Sequence, residues 1–143
     1  MKKVILIGRS ECGKTTLKQA LYGQERKYEK TQSISYTDWI IDTPGEYIQT
    51  KMLGGALAIY SYESDIIALM VSATEAFTLF APNIASMASR EVIGIVTRID
   101  KENANVEQAA TWLELAGCKR IFKISSITGE GMNGLIRYLK WLI

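Results

Sequence analysis

Short apolar runs recur along the chain at Val4–Ile7, Trp39–Ile41, Ile66–Val71, Val92–Val96 and Ile121–Ile124. They are nearly continuous rather than alternating, the pattern of strands buried on both faces of a largely parallel sheet. Helical spacing lies between them. Lys14–Tyr22 places Leu17, Ala20 and Leu21 on one face, and Val106–Ala116 begins after Asn105, a good N-cap, and stops at Gly117, a good C′ residue. The final segment carries Met132, Leu135, Ile136, Leu139, Leu142 and Ile143 at helical spacing to its end. One stretch breaks the alternation: SISYTDWIID, residues 33–42, holds two extended pieces around a turn at Tyr36–Asp38, with no room for a helix. It predicts a β-hairpin and one antiparallel edge strand. The expected fold class is α/β, a three-layer arrangement of helices around a mostly parallel six-stranded sheet.

Composition narrows the chemistry more than the fold. At 143 residues the chain fits one domain, 1–143, with a full apolar core. A net charge of +2 is too small to indicate a nucleic-acid surface. There is no histidine, which removes Ser/His and Cys/His catalysis, and the two cysteines, Cys12 and Cys118, show no metal spacing. Carboxylates, hydroxyls, backbone amides or a hard metal must therefore carry any reaction. The opening MKKVILIG has the charge order of a signal peptide, but its apolar run is too short and leads into Arg9, Glu11 and Lys14. No stretch approaches the ~20 apolar residues of a membrane span. The expectation is a cytoplasmic protein with reduced thiols and no membrane contact.

GRSECGKT, Gly8–Thr15, fits the phosphate-loop (Walker A) pattern G-x-x-x-x-G-K-[ST] and sits between an apolar strand and a helix. Gly8 and Gly13 let the loop through Arg9, Ser10, Glu11 and Cys12 turn its amides toward a phosphate, and the helix N-terminus adds partial positive charge. Lys14 then neutralises phosphate oxygens and Thr15 offers a hydroxyl to Mg²⁺. Glu11 runs against this, because a carboxylate there repels phosphate unless it points outward or holds a cation. Cys12 reads as a small buried filler, with a redox switch as the alternative.

Further on, IIDTPGEY places Asp42 at a strand end, able to hold Mg²⁺ through water, and Gly45 where its amide can reach a γ-phosphate. The intervening YGQERKYEKTQS is polar and charged, which predicts a mobile loop. Thr31 within it is the candidate hydroxyl for closing over metal and γ-phosphate, since Thr37 falls in the hairpin turn. Past the fourth and fifth apolar runs come TRID and SSITGEG, on the sheet edge where doubly wound folds bind ligands. Asp100 can accept two hydrogen bonds from guanine that adenine cannot supply, Arg98 can lie along the base, and the Ser126 amide can donate to the guanine carbonyl.

Together GRSECGKT, Thr31, DTPG, TRID and SSITGEG resemble the motifs of Ras-like P-loop small GTPases over essentially the whole chain. Within that superfamily, YEKTQS, DTPGEY and WLELAGCKRIFKISSITGEG resemble the EutP/PduV family of bacterial ethanolamine and propanediol utilisation. The resemblance implies a GTP/GDP and Mg²⁺ site. Gly8, Gly13, Lys14, Thr15 and Thr16 would contact phosphate and metal, Thr31 and Asp42 the metal side, and Gly45 the γ-phosphate. Thr97, Arg98, Asp100, Ser125, Ser126 and Ile127 of the last two motifs would surround the base. It also implies a slow Mg²⁺-dependent GTPase switch in the cytoplasm, at a bacterial microcompartment, with shell or pathway enzymes as partners. Thr97 and Arg98 replace the usual Asn and Lys of the base motif. Glu46 stands where a glutamine often orients the attacking water, which implies slow hydrolysis. Two other readings stay open. One is a nucleotide-dependent acetate kinase in which segments 25–31 and 46–52 cover an acceptor pocket and Arg9 or Arg26 clamps the carboxylate. The other is a non-enzymatic scaffold.

Overall fold

The computed structural model describes residues 3–8, 13–32, 40–42, 53–78 and 80–141. Five strands form one sheet: β1 (Val4–Ile7), β2 (Ile40–Asp42), β3 (Ile66–Ser72), β4 (Glu91–Thr97) and β5 (Arg120–Lys123), in the order β2-β1-β3-β4-β5. Every neighbouring pair is parallel. The helices are α1 (Lys14–Gln32), α2 (Leu53–Glu63), α3 (Val106–Ala116) and α4 (Met132–Trp141), with a short 3₁₀ turn at Ile84–Met87. The second hairpin piece is the edge strand β2. Its expected antiparallel partner falls on residues 33–39, outside the described residues, so the described sheet has five strands rather than six.

The continuous apolar runs are buried because both sheet faces are covered. Ile5, Ile7, Ile67, Leu69, Val71, Val92 and Val96 pack on one face with Leu57 of α2 and Ala109, Leu113 and Ala116 of α3. Val4, Leu6, Ala68, Met70, Ile93 and Ile95 pack on the other with Leu17 and Leu21 of α1 and Leu135 and Leu139 of α4. From β1 the chain first steps outward to β2 and then crosses back past it to β3. Right-handed crossovers in opposite directions put α1 and α2 on opposite faces. That reversal opens a crevice beyond the carboxyl ends of β1 and β3.

Helix α3 has the ends its sequence predicts: the Asn105 side chain accepts from the Gln108 amide at 3.1 Å, and Gly117 closes it at φ 104°. Helix α1 differs from expectation. The polar stretch read as a mobile loop continues the helix to Gln32. Gln24, Glu25, Arg26, Lys27, Glu29 and Lys30 are strong helix formers and no proline interrupts them, so propensity outweighs the missing apolar stripe.

Candidate functional site

Five strands end on the crevice side of the sheet. Gly8, buried, leaves β1, and Asp42 ends β2 in register with Leu6, one strand over. Ser72–Thr74 leave β3, Thr97–Asp100 leave β4, and Ser125–Ile127 follow β5. The backbone laces these exits together. The Ala73 amide donates to the Thr97 carbonyl at 2.9 Å, Asn105 to Ala73 at 2.8 Å, and Ile124 to Val96 at 2.8 Å. At Ser72 the hydroxyl meets the Thr74 hydroxyl at 2.7 Å, which sets the turn out of β3.

These exits enclose a cleft of about 470 Å³, lined by Gly13 and Thr16 from the cradle side and by Thr97, Arg98, Asp100, Ser126 and Ile127 from the base side. Motifs more than eighty residues apart thus share one cavity. Gly13 makes the junction. Its φ of +98° is one that side chains rarely adopt, and a Cβ there would sit 3.6 Å from the Thr97 hydroxyl and 3.9 Å from Arg98 Nε. Arg98 itself holds φ 58°, an uncommon backbone for a non-glycine residue and of the kind found at ligand clamps. Its carbonyl accepts from the Lys101 amide at 3.2 Å, so Asp100 sits on a closed turn at the cleft wall.

The next residue, Lys14, opens α1 and is buried at 4 % exposure, unusual for lysine and in keeping with a head group held at the cradle rather than in water. The remaining expected residues distribute unevenly. Thr15 is exposed and does not line the cleft. Ser125 is fully buried and works inside its own loop: its amide donates to Glu130 at 2.9 Å, its carbonyl accepts from Gly129 at 2.9 Å, and its hydroxyl accepts from the Thr128 amide at 3.1 Å. It positions Ser126 rather than facing the cavity. Thr31 lies near the far end of α1; residues 15 to 31 at 1.5 Å rise separate it from Thr15 by about 24 Å along the axis. The structure therefore does not bring Thr31 to the cradle, because the segment that was to fold back as a loop runs on as a helix. Arg9, Ser10, Glu11, Cys12, Gly45 and Glu46 lie outside the described residues. Among the described residues no cluster of three or more His, Cys, Asp or Glu could hold a metal.

Three cleft residues were not singled out from sequence: Thr74, Lys101 and Asn103. Thr74 follows β3 at the same sheet edge as the others, so the strand-end rule that located Asp100 would have found it. Lys101 and Asn103 lie in the polar turn DKENAN, where nothing in residue type separates a cavity wall from a solvated turn.

The fold defines a doubly wound α/β protein with a cleft on the carboxyl edge of its parallel sheet, its walls drawn from the exits of several strands. Comparison with known proteins then places the chain. A profile of the PduV-EutP family, described as ethanolamine utilisation and propanediol utilisation, matches residues 1–141, and the chain belongs to that family. It is 37 % identical over 140 residues to the propanediol utilization protein PduV of Citrobacter freundii, covering 97 % of this chain and 93 % of the relative. It is 27 % identical over 142 residues to the probable acetate kinase EutP of Escherichia coli K12, covering 97 % and 89 %. The GTPase Der of Shewanella amazonensis is 27 % identical over 154 residues, covering 94 % of this chain but 31 % of that longer protein.

Proposed function

We propose that this protein binds a guanine nucleotide in the cleft and acts as a switch with slow Mg²⁺-dependent GTP hydrolysis. It would serve ethanolamine or propanediol utilisation from the cytoplasm, at a bacterial microcompartment, with shell or pathway enzymes as partners. The observation that carries the nucleotide reading is the single cleft joining Gly13 and Thr16 to Thr97, Arg98, Asp100 and Ser126. Similarity to a GTPase over nearly the whole chain supports it.

In this reading Lys14 and the amides from Gly8 to Thr16 hold the phosphates. The Asp100 carboxylate accepts two hydrogen bonds from the base edge, Arg98 lies along the ring, and the Ser126 amide donates to the base carbonyl. Thr15 and Asp42 would hold the metal, which supplies charge neutralisation at the β and γ oxygens. Gly45 would read the γ-phosphate through its amide. Glu46 would stand near the attacking water, where repulsion from the phosphate keeps turnover slow. Thr31 has no part in this arrangement.

Calorimetric titration with GDP and ADP in Mg²⁺ tests it. GDP is expected to bind at least ~100-fold more tightly, a gap of about 2.7 kcal/mol. Asp100→Ala should lose that gap, because a bound adenine would cover the exposed Asp100 carboxylate without giving it hydrogen-bond donors. Equal affinity for ADP would remove the guanine reading. A second reading, phosphoryl transfer to acetate, is favoured by the name of the EutP relatives. It requires turnover that rises with acetate concentration, whereas a switch hydrolyses GTP at the same rate without it.

A further inference from the structure

A second cavity, about 620 Å³, opens at the opposite end of the sheet, where β4 and β5 begin. Its walls are the 3₁₀ turn at Ile84–Met87, the entry to β4, and the turn from α3 into β5. The Asn83 amide donates to the Leu115 carbonyl at 2.8 Å, and Ala85 packs close enough to Gly117 that a Cβ there would sit 3.1 Å from its methyl carbon. The walls are thus fixed to each other by backbone.

Two exposed basic side chains, Arg90 and Lys119, stand on those walls with few protein acceptors among the described residues. Arg90 gives its Nε to the carbonyl of Ser61, a fully buried residue, at 2.9 Å, and that is its one partner among the described residues. The bond orients the planar guanidinium and leaves its two Nη groups without an acceptor there. Lys119 has no ion pair among the described residues, and the side chain of Asn83 makes no cap bond even though the residue holds a left-handed φ of 61°. The one acidic residue on the wall, Glu91, is engaged by the Tyr138 hydroxyl.

We propose that this groove binds a small oxyanion, a carboxylate or phosphate carried on a metabolite, with Arg90 as the fork, Lys119 as the second charge and Asn83 as a neutral donor. Guanidinium pre-set by a neighbouring carbonyl is the arrangement that accepts two oxygens of one anion. A cavity of this volume falls in the range of small-molecule sites. The site is separate from the nucleotide cleft and does not depend on the function proposed for it.

The test is titration of isotope-labelled, nucleotide-free protein with citrate and, separately, with inorganic phosphate, followed through the backbone amide resonances. The amides of Ser89, Gly117 and Lys119 are expected to shift and saturate, with a dissociation constant of about 1 mM or tighter. Saturation by citrate alone assigns a carboxylate ligand, by phosphate alone a phosphate ligand, and by both an oxyanion of either kind. Arg90→Gln and Lys119→Gln should each weaken binding about tenfold, the loss of one charge-assisted hydrogen bond. If Arg90→Gln disturbs folding by freeing the Ser61 carbonyl, Lys119→Gln at an exposed position carries the comparison. Shifts confined to Gly13 and Thr16, shifts in the groove that do not saturate, or titrations unchanged in Lys119→Gln would overturn the proposal.

Discussion

Gly131 governs the base side of the cleft without touching it. At φ +75°, a Cβ there would strike the carbonyl of Lys123, the last residue of β5. Any side chain must push back either the strand end or the loop that carries Ser126. Gly131→Ala should therefore lower stability by more than about 1 kcal/mol and loosen ligand binding in the cleft. Denaturant unfolding with ligand titration checks both, and an unchanged midpoint would show that the loop gives way freely. Sequence placed SSITGEG past the last apolar run on the ligand edge of the sheet, but the collision was not readable, because it depends on where β5 delivers its carbonyl. Asp100 was legible for a different reason: a lone carboxylate at the end of an apolar run has few structural uses. Ser125 shows the limit of that logic. Its residue type fits a base contact, and only the bonds made by its amide, carbonyl and hydroxyl reveal a role in holding the loop.

Strands and helices divide by how strongly burial shaped their sequences. β1 and α3 were legible nearly to the residue: β1 is apolar throughout because both its faces are covered, and α3 carries its own cap and stop. Past β3, Phe80 is buried in the core while Phe77 remains half exposed. α1 was misread past Tyr22 because its second half offers no apolar stripe, and polarity alone does not separate a loop from a solvated helix. The two alternatives respond oppositely to proline. Lys27→Pro within a helix should cost about 3 kcal/mol, whereas a loop would absorb it within ~0.5 kcal/mol. Thermal unfolding followed by circular dichroism decides between them. The same result bears on the acetate-kinase reading, because a helix spanning residues 25–31 is a poor lid for an acceptor pocket.

Across the molecule, the outer edge of the sheet closes against α4 through Tyr138. Its ring lies 5.2 Å from that of Phe122 and 5.1 Å from the Arg120 guanidinium. Burial first, then the hydrogen bond to Glu91 and its charge, push the Tyr138 hydroxyl up from an ordinary 10 to about 12, with Arg120 pulling slightly the other way. Because the folded value lies above the unfolded one, this contribution to stability is complete below pH 10 and is lost between pH 10 and about 12. Tyrosinate absorbance should show a component titrating late, and Tyr138→Phe should remove it. A titration identical in the variant would remove Tyr138 from this role.

Ser61 ties the molecule together in another way. Its hydroxyl accepts from the Ser89 amide at 3.0 Å and its carbonyl holds Arg90 at 2.9 Å, so α2 is pinned near its last turn to the entry of β4. From Leu53 to Ser61 the helix runs about 12 Å, and Leu57 midway along it is fully buried against the sheet. Helix and sheet are thus joined twice over, by a hydrogen-bonded end and a buried middle.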